Sequence, residues 1–262
     1  MNVLLVSANT ETINMPTLPI GLGFVAHAVQ RAGHRVRLVD LMGLKASDEV
    51  LAEAITDFVP GVIGISVRNV DDQCSESPRF LLDGARGVIA ACRRLSSAPL
   101  VLGGAGYSLF PQSALDYLQA DFGIQGEGEA AFVALLERLA AGRRPDGVPG
   151  LYIRGSGRRQ ARTFLHPLDP AVWVTPSFFD CRLSREPGFY LPVQTRRGCP
   201  LRCSYCATAV IEGATIRKRS VASVLKELEG WRAAGFRRIF FTDNTFNLPP
   251  AYARQLCDRI AE

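Results

Sequence analysis

Through the first half of the chain, short apolar runs alternate with longer amphipathic ones. "NVLLVSA" (2–8), "RVRLVDL" (35–41), "GVIGISV" (61–67) and "PLVLGG" (99–104) are of strand length, and a shorter run lies in "DFGIQGEGE" (121–129). Largely apolar, β-branched runs predict strands buried on both faces. Between them, "PIGLGFVAHAVQRAGH", "SDEVLAEAITDF", "PRFLLDGARGVIAACRRL", "SALDYLQA" and "AAFVALLERLAAG" carry apolar residues at helical spacing. Ser47 is placed to cap the second helix and Gly33 to stop the first. Strands alternating with helices imply a parallel sheet covered on both faces, with ligands at the carboxyl ends of its strands. This unit spans 1–145.

The pattern then changes. "GVPGLYIRGSGRRQARTFL" predicts a hairpin turning at Gly155-Ser156-Gly157. "HPLDPAVWVTPSFFD" is proline-rich and predicts an extended linker, so 146–188 form a hairpin and linker. From Phe189 onward come a strand "YLPVQTR", a cysteine-bearing loop, and the helix "SVASVLKELEGWRAAG" capped by Ser220. A strand "RRIFFTD" and a proline-opened helix "PPAYARQLCDRIAE" follow. This β-loop-α-β-α order over 189–262 is the beginning of a (β/α) barrel, whose active-site residues sit just past the carboxyl ends of the strands.

With 262 residues, 47% of them hydrophobic, the chain can bury proper cores. No apolar run reaches spanning length, and the start lacks a basic leader and a cleavage site, so the expectation is a cytoplasmic protein without a membrane span. Seven cysteines, three clustered, suit a reducing compartment and metal binding better than disulfides. Much of the net charge of +5 lies near that cluster, in "QTRRG" and "TIRKRS". It reads as solvated surface or as a basic rim around an anionic ligand, with no nucleic-acid motif beside it.

Gly21-x-Gly23-x-x-Ala26, with Asp40 at the end of the second strand, matches a dinucleotide fingerprint. That fingerprint needs its glycines in the tight turn directly after the first strand, where the helix N-terminus meets a pyrophosphate. Here "NTETINMPTLPI" intervenes, so the glycines read as close helix–sheet packing. The strand-end loops "SVRNVDD" (66–72), "GGAGYSLFP" (103–111) and "GEGE" (126–129) are more informative. Glycines gathered on one sheet edge let a large, flat ligand lie against bare backbone.

Cys199-x3-Cys203-x2-Cys206 supplies three thiols and no fourth ligand at suitable spacing; Cys257 lies on an expected helix and His166 before the barrel. Structural zinc sites use four protein ligands, usually as two pairs, and fit poorly. A cubane iron–sulfur cluster on three thiolates keeps one iron open for a substrate or cofactor. Cys74, Cys92, Cys181 and Cys257 are scattered and read as ordinary residues.

Cys199-x3-Cys203-x-Tyr205-Cys206, after the first barrel strand, resembles the signature of the radical S-adenosylmethionine (SAM) enzymes. "RRGCPLRCSYC", "FTDNTFN", "PLPIGLGFVAHAVQRAGHRVRLVD", "GISVRN", "VLGGAGYSLFP" and "GEGEAAF" extend that resemblance to the subclass with an N-terminal cobalamin-binding domain. The resemblance implies an α/β fold: a Rossmann-like cobalamin-binding domain, then the first two β/α units of a radical-SAM partial (β/α)6 barrel. It implies a [4Fe–4S] cluster on Cys199, Cys203 and Cys206, SAM contacts at Tyr205 and Asp243, and cobalamin near Ser66, Arg68, Gly103, Gly104, Gly126 and Glu127. The implied reaction is reductive cleavage of SAM to a 5′-deoxyadenosyl radical, used for methyl transfer to an unactivated centre of a small molecule. An external donor of flavodoxin or ferredoxin type would supply the electron. Many cobalamin domains carry a cobalt-binding His after the first strand. None occurs in 8–21 here, so no histidine from this loop is expected on cobalt, and His27 and His34 read as surface or packing residues.

Two barrel units leave the remaining SAM contacts and the substrate end unaccounted for, so the expectation is a fragment or a truncated product. The competing class is a cobalamin-binding module, or a remnant without catalysis. No residue is assigned as catalytic, and the substrate is not legible.

Overall fold

The computed structural model describes residues 1–11, 17–42, 47–157, 160–169, 173–180 and 188–262. The side-chain cap at Ser47, Cys181, and residues 158–159, just past the expected hairpin turn, lie outside the described residues.

The first unit runs β1 (Asn2–Ser7), α1 (Ile20–Arg31), β2 (Arg35–Asp40), α2 (Ser47–Phe58), β3 (Val62–Ser66) and α3 (Leu82–Leu95). It continues through β4 (Leu100–Gly103), α4 (Ala105–Leu109), α5 (Pro111–Leu118), β5 (Phe122–Ile124), α6 (Glu129–Ala140) and β6 (Leu151–Ile153). The strands form one sheet in the order β2-β1-β3-β4-β5-β6, with β1 to β5 parallel and β6 antiparallel to β5. Successive side chains in a strand point to opposite faces. Leu4, Val6, Ile63 and Ile65 therefore pack under α2 and α3, while Val3, Leu5 and Val101 face α1 and α6. The strand order reverses between β1 and β3, which places a crevice at their carboxyl ends.

Several details depart from the pattern. The third helix begins at Leu82 rather than at Pro78, because Asp72 captures the backbone and guanidinium of Arg79 and Asp71 bridges Phe80. "GGAGYSL" was expected as loop but turns helical as α4 directly after Gly104. The hairpin is only partly realised: β6 joins the main sheet, and the return stretch holds it through Gln160 N–H to Leu151 O and Gly150 N–H to Ala161 O. Gly23 does not pack on the sheet; an added Cβ would lie 2.8 Å from the Phe179 ring and 3.1 Å from Val174, so the glycine admits the linker. Gly21 is exposed with open space around it.

The second part contains β7 (Leu191–Val193), β8 (Arg196–Arg197), α7 (Thr208–Glu212), β9 (Arg217–Lys218), α8 (Val221–Ala233), β10 (Ile239–Phe241) and α9 (Pro250–Ala261). β7 and β10 pair in parallel across α8, as in a β/α barrel, while β8 and β9 form a small antiparallel ladder. Ser220 caps α8 by accepting the Ser223 amide at 3.2 Å. Phe24 and Leu18 join Val174, Phe179, Leu191, Trp231 and Leu256 in a third core, so α1 buries one face on the sheet and another on this second part. Among the described residues, no helix is long and apolar enough to cross a membrane.

Candidate cofactor edge and cysteine loop

At the carboxyl edge of the sheet the strand-end loops meet backbone to backbone. Gly104 has φ +98°, and a Cβ there would fall 2.5 Å from the Val67 carbonyl and 2.9 Å from Ser66 Oγ. Only glycine combines that conformation with that approach. Gly103 ends β4, and the Gly126 amide donates to Ser108 Oγ at 2.9 Å with Gly126 at φ +86°. Beside them, at the β1/β3 crevice, a cavity of about 180 Å³ is lined by Asn9, Glu11, Arg68, Asn69 and Phe80 among others. Asn9 Nδ2 is buried there with no hydrogen-bond partner among the described residues. Burial lowers the pKa of Arg68, against the opposing pull of Asp40, and burial raises that of Asp40. Bare backbone, an orphaned amide and a cation on the cavity wall suit a large ligand carrying carbonyl and anionic groups, as cobalamin does.

The cysteine loop reaches this edge. α7, which closes the loop, packs on α4, and Arg162 Nη1 donates to the Val210 carbonyl. Gly198 has φ +84°, and a Cβ there would lie 2.1 Å from the Thr215 carbonyl oxygen. Cys199 follows, buried, its amide on the Gly213 carbonyl at 3.1 Å. Cys203 and Cys206 are exposed, with the Cys206 amide on the Cys203 carbonyl, and Tyr205 is 90% exposed. Cys206 Sγ lies 3.2 Å from Thr208 Oγ1, and this contact holds its thiol below the usual pKa. Among the described residues no three ligating side chains are gathered into a metal-ready group. By donor chemistry, three thiols on one loop match a soft-metal cluster.

Other expected site residues have structural partners. The Asp243 carboxylate accepts the Thr195 amide (2.8 Å) and hydroxyl (2.6 Å) and the Arg196 amide (3.2 Å), fixing the step from β7 to β8; burial raises its pKa. Glu127 pairs with Arg217 at 2.7 Å and accepts the Leu165 amide at 2.6 Å. Apart from the exposed Lys218, the basic residues flanking the loop are not a solvated rim. Arg196, Arg197, Arg217 and Arg219 are buried, and Arg197, Arg217 and Arg219 are paired with carboxylates. Sequence reasoning missed the roles of Glu129, Arg197, Glu212 and Arg217, for which charge clustering was the only signal. His27 sits half-buried against Thr175, and His34 lies at the N-terminus.

A family model described as "B12 binding domain" matches residues 6–136, half of the chain. Tryptophan 2-C-methyltransferase of Streptomyces laurentii is 26% identical over 96% of this chain and 51% of that protein. Hopanoid C-3 methylase of Methylococcus capsulatus is 28% identical over 93% of this chain and 45% of that protein. The radical SAM methyltransferase TsrM from Kitasatospora setae, solved with cobalamin and a [4Fe–4S] cluster bound, superposes with a TM-score of 0.83. It is 28% identical, over 99% of this chain and 50% of that one. The chain thus spans about half the length of the relatives it matches. The chain therefore belongs to the B12-binding domain family, and it is similar over nearly its whole length to methyltransferases, one of them a radical SAM enzyme solved with cobalamin and a [4Fe–4S] cluster bound.

Proposed function

We propose that this chain provides the cobalamin-binding and cluster-binding parts of a radical SAM methyltransferase acting on a small molecule. The observation that carries the reading is the packing of α7 on α4, which sets the cysteine loop beside the bare carboxyl edge of the parallel sheet. Cys199, Cys203 and Cys206 would hold a [4Fe–4S] cluster, with Tyr205 and Asp243 toward SAM. Ser66, Arg68, Gly103, Gly104 and Gly126 would line the cobalamin. Bound there, the cluster supplies an electron for SAM cleavage and the cobalamin a methyl carrier. The protein's own contribution is positional: Gly198 and Glu212 fix the base of the loop, and Gly104 lets two strand ends close without a side chain between them. An external reductant of flavodoxin or ferredoxin type completes the scheme.

Anaerobic reconstitution followed by iron counting and a visible spectrum, with and without hydroxocobalamin, tests the reading. The expected result is about four irons per chain, lost in Cys203→Ala, with corrin absorbance retained by both proteins. One zinc and no corrin would overturn both cofactor assignments. Corrin without iron would leave a binding module.

A further inference from the structure

Three buried ion pairs join the segment from the end of β5 to the start of α6 to the ladder that carries the cysteine loop. Arg197 is on β8, two residues before Cys199; its Nη2 lies 2.5 Å from Glu129 Oε1 and its Nη1 3.6 Å from Glu127 Oε1. Arg217, its neighbour across the ladder on β9, sits 2.7 Å from Glu127 Oε1. All four side chains are at most 6% exposed. Burial alone would lower the pKa of Arg197, but the carboxylates of Glu129 and Glu127 hold it above its ordinary value. Aromatic faces complete the enclosure: the Arg197 guanidinium lies over Phe24 and that of Arg217 over Phe164. Phe164 in turn packs where a side chain on Gly213 would stand.

Desolvating four charged groups is costly, and an apolar contact of similar volume would hold the two parts together at least as well. Ion pairs contribute something apolar packing lacks, which is a fixed direction and register: a guanidinium fork meets a carboxylate in few geometries. The acidic partners begin immediately after Gly126, at the cobalamin edge, and the basic partners flank Gly198 and the first cysteine. Nothing in the direct chemistry of either cofactor requires this link.

We infer that Arg197, Arg217, Glu127 and Glu129 are positioning residues that couple the two cofactor sites, so that filling the cysteine loop tightens corrin binding and the reverse. This rests on the two-cofactor reading above. Coupling of this kind is reciprocal and typically corresponds to a factor of five or more.

The test measures the hydroxocobalamin Kd by equilibrium titration, in the iron-free and the reconstituted full chain, for wild type and for Glu129→Gln. The expected wild-type ratio of the two constants is about fivefold or more, falling to about one in Glu129→Gln while iron and corrin still bind. A purely structural role would weaken both constants alike and leave the ratio unchanged, and that result overturns the inference, as does a wild-type ratio of one. Should Glu129→Gln fail to fold, the apolar pair Arg197→Met with Glu129→Met removes both charges together, a change buried pairs tolerate. It is expected to give the same ratio of about one, and a wild-type ratio there overturns the inference. If wild type binds neither cofactor, the two-cofactor reading fails first and takes this inference with it; if it binds both without coupling, only the inference falls.

Discussion

Glu212 Oε2 accepts the amide of Gly198 at 3.1 Å, across the base of the cysteine loop. The same carboxylate takes Gln194 Nε2 and Asn244 Nδ2, each at 3.0 Å, so one half-buried side chain ties together the end of β7, the residue before Cys199 and the loop after β10. Burial raises its pKa, with the Gly198 amide and Arg197 opposing. Glu212→Ala is expected to strand these donors and cost about 1–3 kcal/mol. Urea denaturation measures that cost, and reconstituted Glu212→Ala should lose iron to a chelator faster than wild type.

Gly198→Ala should be more severe. It combines a left-handed φ of +84° with a Cβ placed 2.1 Å from the Thr215 carbonyl, a backbone atom that cannot turn aside. A cost of about 3 kcal/mol or more is expected. Because the clash is local to the cysteine loop, far-UV circular dichroism should change little while iron uptake falls sharply. Normal iron uptake would show that the loop relaxes freely.

Tyr107 is wholly buried, and its hydroxyl has no hydrogen-bond partner among the described residues. Removing an unsatisfied buried hydroxyl relieves its desolvation cost. Tyr107→Phe is therefore expected to be neutral or to stabilise the chain by about 1 kcal/mol, read as an unchanged or raised thermal midpoint. The neighbouring substitution Gly123→Ala should do the opposite, since its Cβ would fall 1.9 Å from that hydroxyl.

The loop after β3 is closed by Asp72, which accepts the Arg79 amide and Nε and the Cys74 amide. These bonds depress the Asp72 carboxyl to a pKa of about 2, from a reference of 3.8. A depressed carboxyl contributes stability above its unfolded value and loses that contribution as pH falls toward its folded value. The loop should therefore hold until the pH drops below about 4 and open progressively toward 2. Carboxyl ¹³C NMR should show Asp72 titrating near 2, and Arg79→Ala should return it toward the ordinary range.

The sequence by itself determined the alternation of strands and helices, the parallel sheet, the Ser220 cap and the position of the cysteines after a barrel strand. Each follows from short-range periodicity or from a residue's fixed backbone preference, which need no partner from elsewhere in the chain. Tertiary structure alone decided what the charged residues do. Arg197 and Arg217 sit in runs that look like exposed basic surface, and they are buried because Glu127 and Glu129, far earlier in the chain, meet them. Asp243 likewise finds Thr195 across β7 and β10, and Gly23 admits Phe179 from the linker rather than a sheet strand. A charge's environment is set by which distant segments pack around it, and local spacing carries no information about that.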